Sequence, residues 1–138
     1  MMENQKGIII SIYEFGTLRA RYGTIFPSES SLAQEIIQNT VKAAKDDSFF
    51  DPIEAKEFPY LDVQVDEVSL VEPIANIRQL DVEKYGVYVK SRTKNGFALP
   101  GDPLITSEEK QVRDAKRNAK IGRGEKTNLF RFVIVPHK

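Results

Sequence analysis

Apolar side chains follow three different rhythms along the chain. Gly7-Ile8-Ile9-Ile10-Ser11-Ile12-Tyr13 is a short unbroken block rich in β-branched residues, which predicts a buried strand rather than a helix. Glu14-Phe15-Gly16-Thr17 supplies a turn, with Gly16 free to take positive φ. Residues 18–25 then alternate: Leu18, Ala20 and Tyr22 point one way, and Arg19, Arg21 and Gly23 the other. The two runs predict an antiparallel hairpin. After Pro27 the rhythm changes to helical spacing. Leu32, Ala33, Ile36, Ile37, Val41 and Ala44 form a stripe, opened by Ser31 with Gln34 as a capping box and closed near Lys42 and Lys45, which suit the negative pole of the helix dipole.

Beyond Asp51-Pro52 and a short turn at residues 54–57, alternation returns. Leu61, Val63 and Val65 interleave with Asp62, Gln64 and Asp66, and the phase slips at Val68 and Leu70, which predicts a bulge or a change of partner. Residues 85–92 read as a further strand. Asn95-Gly96 is the dipeptide favoured in two-residue hairpin turns. A loop at residues 99–103 precedes a second capping box, Thr106 with Glu109, and a helix with Val112, Ala115 and Ala119 on one side that ends at Gly122 and Gly124. Residues 129–135 form the last strand, with Phe130, Phe132 and Ile134 on one face. Two principal helices among hairpin-linked strands predict an α+β fold with a mainly antiparallel sheet, a barrel-like form being among the arrangements open to it.

Composition narrows the function classes. A chain of 138 residues suits one domain spanning residues 1–138. The 20 basic and 20 acidic residues cancel, so whole-molecule attraction to nucleic acid or to an anionic membrane is not expected. With no cysteine, the chain has no disulfide framework, thiolate zinc site or cysteine nucleophile. No long apolar run and no signal-like start are present, which predicts a cytoplasmic protein.

The most unusual local feature is Leu18-Arg19-Ala20-Arg21-Tyr22-Gly23-Thr24. Strand geometry places the two arginines on one face, roughly 6–7 Å apart at Cα. Gly23 on that face leaves room for a ligand, and a carboxylate or phosphate would be held by charge-assisted bonds. The same pattern also suits a solvated face whose arginine stems lie over apolar surface. Arg113, Arg117 and Lys120 share a face of the second helix, either a phosphate-binding stripe or an ordinary solvated side. Asp62, Gln64 and Asp66 lie on the polar face of one strand, either a carboxylate pair or hard-metal site, which would gather further ligands from other segments, or an ordinary solvated sheet face. His137, the single histidine, sits one residue from the end, a poor place for catalysis.

The order of these pieces resembles the AMMECR family, whose prokaryotic members are called AmmeMemoRadiSam system protein A. Leu18, Arg19, Gly23 and Thr24 match its Leu-Arg-Gly-Cys-Ile-Gly-Thr signature, with Ala20, Arg21 and Tyr22 in the middle, so the signature cysteine is absent. Asp47-Ser48-Phe49-Phe50-Asp51-Pro52-Ile53, the strand from Leu61, Glu72-Pro73-Ile74 and Gly96-Phe97-Ala98-Leu99-Pro100 are similar to later family stretches. The initial helical segment of the family has no counterpart here, so the resemblance is to a short, divergent member. It implies an α+β fold and, from the family's genomic neighbours, partners of Memo type or radical-SAM type.

The leading functional expectation is a non-metal, cofactor-free binding module that accepts an anionic small molecule in a cleft lined by Arg19, Arg21, Tyr22, Gly23 and Thr24. One rival is an enzyme of RNA or cofactor modification, for which the chain supplies carboxylates, lysines and tyrosines, with Tyr22 and Asp62 as the candidates. Another is a protein-interaction module that uses an edge strand or the basic helix.

Overall fold

The computed structural model describes residues 6–46 and 51–137, with the side chain of Asp46 excepted. The chain divides into two compact units. The first runs to Val68 and takes in the chain's end from Val135, and the second is Ser69–Ile134.

In the first unit β1 (Gly7–Glu14) and β2 (Thr17–Thr24) form the expected antiparallel hairpin. Its two turn residues, Phe15 and Gly16, have φ values of 52° and 79°. Positive φ at both central positions gives the backbone twist that suits a two-residue hairpin. Phe15 takes this conformation without glycine's freedom, and its ring stacks at 5.1 Å on Tyr60. β1 also pairs antiparallel with the start of β3 (Leu61–Ile74). It is therefore the central strand of the three and buried on both sides, which explains why its apolar run does not alternate. Ile8, Ile10, Ile12 and Ala20 pack against Ala43 of helix α1 (Leu32–Asp46).

The stripe expected on α1 is rotated. The helix buries Glu35, Asn39 and Ala43, while Ile37 and Val41 remain 52% and 43% exposed. Leu32 and Ile36 pack at the margin of the core. Polar bonding, not hydropathy, decides the rotation: Glu35 and Asn39 terminate backbone and side-chain groups that would otherwise be stranded inside.

In the second unit the expected phase slip falls where Leu70 of β3 adopts φ 49°. β4 (Gly86–Lys90) lies between β5 (Asn95–Ala98) and β6 (Asn128–Pro136), antiparallel to both. Helix α2 (Glu108–Ala119) covers them, and Val87, Val89, Ala98, Ala115, Ala119 and Ile121 make the core with Leu80.

Three local expectations are corrected here. Asn95-Gly96 is not the hairpin turn but lies in β5, and the chain reverses through residues 91–94, where Ser91 N–H donates to Lys94 O at 2.8 Å. Gly96 serves close packing instead: a Cβ there would stand 2.7 Å from Ala119 Cβ. The cap of α2 is Ser107, whose side chain accepts from Lys110 N–H, not Thr106. The helix stops at Lys120, with φ 60°, and not through its glycines. The architecture is α+β, with antiparallel strands and two principal helices.

Candidate functional site

A register shift at Arg19, followed by alternation from Ala20 to Thr24, sets the geometry of the signature segment. Arg19 donates from Nε to Glu57 Oε1 at 2.7 Å and from Nη2 to Glu57 Oε2 at 3.2 Å, with a further bond to Pro52 O at 3.3 Å. Only 16% and 14% of the two side chains is exposed. Glu57 is delivered by a 3-10 turn (Ala55–Tyr60), and Glu54 N–H donates to its Oε2 at 2.8 Å. The Arg19 bond, followed by the Glu54 N–H, pulls the Glu57 carboxyl down to about 2. The same bond holds the Arg19 guanidinium above its ordinary value. A carboxylate this acidic is fully ionised at neutral pH and is a weak proton acceptor, so it acts as the arginine's partner rather than as a general base.

Arg21 bonds two hydroxyls of β1. Its Nε donates to Ser11 Oγ at 2.8 Å and its Nη2 to Tyr13 OH at 3.3 Å, both from β1. Gly23 stands opposite Ile9 in the ladder. Arg21 and Gly23 thus share one face of β2, while Tyr22 and Thr24 lie on the other. The register shift between Ile12 and Tyr13 leaves Arg19 without a partner in the ladder, so the expected alternation that would set both arginines on one face is interrupted there. Tyr22 packs against the core below α1, with the Lys42 ammonium 5.4 Å from its ring centroid. The hydroxyl of Thr24 bonds Glu35 and accepts from Asn39 Nδ2 at 3.0 Å. The five residues singled out in the sequence therefore belong to two environments, one polar and one inside the packing of α1.

The polar cluster behind Thr24 was not legible as a site. Glu35, 1% exposed, also accepts from Ser28 N–H at 2.9 Å, Ser28 Oγ at 3.0 Å and Glu29 N–H at 2.8 Å. Asn39 donates to Ile8 O at 2.8 Å. The available signal was an acid and an amide four residues apart inside an otherwise apolar stripe.

On β3 the two aspartates part company. Asp62 is exposed, while Asp66 is buried and accepts at Oδ2 from Gln64 Nε2 at 3.0 Å. Asp66 Oδ1 has no hydrogen-bond partner among the described residues. Among the described residues no group of three or more histidine, cysteine or acidic side chains could hold a metal ion. His137 Nδ1 lies 2.6 Å from Glu67 Oε2, and its N–H donates to Val65 O at 2.9 Å, so it fastens the chain's end to β3. His137 and then Lys6 hold the Glu67 carboxyl below its usual range. The similar stretch at Asp47-Ser48-Phe49-Phe50 lies outside the described residues.

In the second unit, Arg131 donates to Glu72 Oε1 and to Gln79 O, each at 2.8 Å, and stacks 4.5 Å from the Tyr85 ring centroid. A cleft of about 280 Å³ nearby is lined by Pro73, Ile74, Thr127 and Phe130 among others and carries no charged side chain. No helix among the described residues is long and apolar enough to cross a membrane.

Comparison with known proteins agrees with this architecture. The crystal structure of an uncharacterized protein from Pyrococcus horikoshii superposes with a TM-score of 0.79 over 95% of this chain and 72% of its own, at 21% identity, a likeness of fold. A Thermotoga maritima protein is 32% identical over the whole chain, which covers 80% of that relative. A Clostridium acetobutylicum protein is 33% identical, and the chain spans only 29% of its length. The family model described as AMMECR1 matches residues 1–135, and the chain belongs to that family.

Proposed function

We propose that this AMMECR1-family chain is a binding module, and that its ligand is an anionic small molecule held on the face of β2 that carries Arg21. The observation that supports the reading is the way Arg21 is oriented. Two neutral hydroxyls, Ser11 Oγ and Tyr13 OH, fix the guanidinium fork at 2.8 and 3.3 Å. Arg19, by contrast, is held in a bidentate pair with the Glu57 carboxylate. A pre-oriented guanidinium loses little freedom on meeting a carboxylate or phosphate, which is the condition for bidentate recognition. In this reading Arg21 is the anchor, Arg19 stiffens the neighbouring strand edge through Glu57, and Gly23 lets the ligand approach the backbone. Tyr22 and Thr24 support the strand from the opposite side.

Isothermal titration against a panel of phosphorylated and carboxylated metabolites tests the reading. Loss of one charge-assisted contact is worth about 1.5–3 kcal/mol, so Arg21→Ala weakens binding by about 10-fold or more, while circular dichroism shows the fold retained. The reading is refuted if no member of the panel binds the wild-type protein, or if Arg21→Ala binds as well as wild type.

A further inference from the structure

The chain's zero net charge conceals a strong segregation of charge. Residues 90–94 and 113–126 contain nine of the 20 basic side chains and only two of the 20 acidic ones. The two segments are joined in space. Lys94 Nζ, at the tip of the β4–β5 hairpin, donates to Lys120 O at 2.9 Å and pairs with Glu125 at 2.8 Å. Asn118 Nδ2 of α2 donates to Phe97 O of β5 at 3.1 Å. The hairpin tip, the C-terminal half of α2 and the loop after it therefore make one continuous region of the second unit.

Both acids in the region are already bonded, Asp114 to Arg117 at 3.5 Å and Glu125 to Lys94. On α2 the buried positions are Gln111, Ala115 and Ala119. Helical spacing puts Arg113, Arg117 and Lys120 on the exposed side turned away from them, with Lys116 half-buried at its flank. Lys90 and Arg92 on the hairpin, and Arg123 and Lys126 in the loop, are exposed as well. The negative pole of α2 opposes them with only about half an elementary charge.

We propose that this region docks on the phosphate backbone of double-stranded nucleic acid, without reading sequence. Three features select that partner. The large exposed apolar side chains all lie elsewhere in the chain, so the region has no aromatic or aliphatic centre of the kind that anchors a protein partner or inserts into a bilayer. It presents no stacking ring, which a single strand would use. Its charge is also arranged linearly: Arg113 and Lys120 are about 10 Å apart along the helix axis, so the stripe can meet more than one of the closely spaced phosphates of a duplex.

The probe is a fluorescein-labelled 20-base-pair DNA duplex, read by anisotropy on the full chain between 50 and 200 mM salt. With about four phosphates neutralised, log affinity falls with log salt at a slope near −3.6, an affinity loss of about 100-fold over that range. Charge reversal at Arg113 and Arg117 flattens the slope by about 2 and weakens binding at least 10-fold. Neutralisation at Lys116 and Lys120 (Lys116→Gln with Lys120→Gln) does the same without introducing new repulsion beside Asp114. Arg21→Ala leaves duplex binding unchanged, which separates this inference from the small-molecule site. Absence of binding at 50 mM salt, an unchanged slope in both double variants, or binding to anionic phospholipid vesicles without binding to the duplex overturns it.

Discussion

Replacement of Glu35 tests the most consequential departure from hydropathic expectation. The carboxylate collects four bonds, from the hydroxyls of Thr24 and Ser28 and from the backbone N–H groups of Ser28 and Glu29. Glu35→Ala removes all four acceptor contacts and leaves a void beneath α1. Bonds to a charged acceptor are worth about 1.5–3 kcal/mol each, but Ser28 is exposed and its groups turn to water once the loop relaxes. The expected net loss is about 2–4 kcal/mol. Glu35→Gln keeps one oxygen for the two N–H groups and offers an amide that the rotatable hydroxyls can accept from, so its cost is about 1–2 kcal/mol. Glu35→Met fills the space but satisfies nothing, and it falls with Ala rather than with Gln. Urea denaturation followed by circular dichroism ranks the three. A Met variant as stable as wild type, or an Ala variant within about 0.5 kcal/mol of it, would show that the position is held by packing alone.

Two further outcomes follow from the same structure. Gly96→Ala forces a methyl within 2.7 Å of Ala119 Cβ and 2.8 Å of Ala119 N, so α2 must shift off β5. The expected destabilisation is about 1–3 kcal/mol, and an unchanged urea midpoint contradicts the close approach. Glu57, with its carboxyl drawn from 4.5 to about 2 by Arg19, contributes stability that is whole above pH 4.5. As pH falls toward 2 the unfolded chain takes up the proton first, and the contribution disappears. Glu57→Gln should therefore flatten the loss of stability between pH 4.5 and 2; a variant with the wild-type acid limb would show that the Arg19 pair does not couple to folding.

Much of the fold was written in local pattern. The β-branched run of β1, the Phe15-Gly16 reversal and the alternation of β2 from Ala20 to Thr24 each depend on residues within a few positions of one another, where backbone sterics and side-chain period act directly. Helices α1 and α2 were placed to within a residue or two by their caps and spacing. The ordered family motifs were enough to identify the family.

Tertiary structure decided the rest, because it brings together groups that no local period relates. The partner of Arg19 is 38 residues away on a 3-10 turn, so the sequence could show a cation but not its neutralisation. Glu35 and Asn39 turn inward because Thr24, Ile8 and the loop after β2 meet them there, against the hydropathy of Ile37 and Val41. Gly96 looked like turn chemistry and proved to be clearance for Ala119 of α2, 23 positions on. Periodicity fixes which side of an element a residue occupies. What waits on that side is settled only when loops close and distant polar groups must find partners away from water.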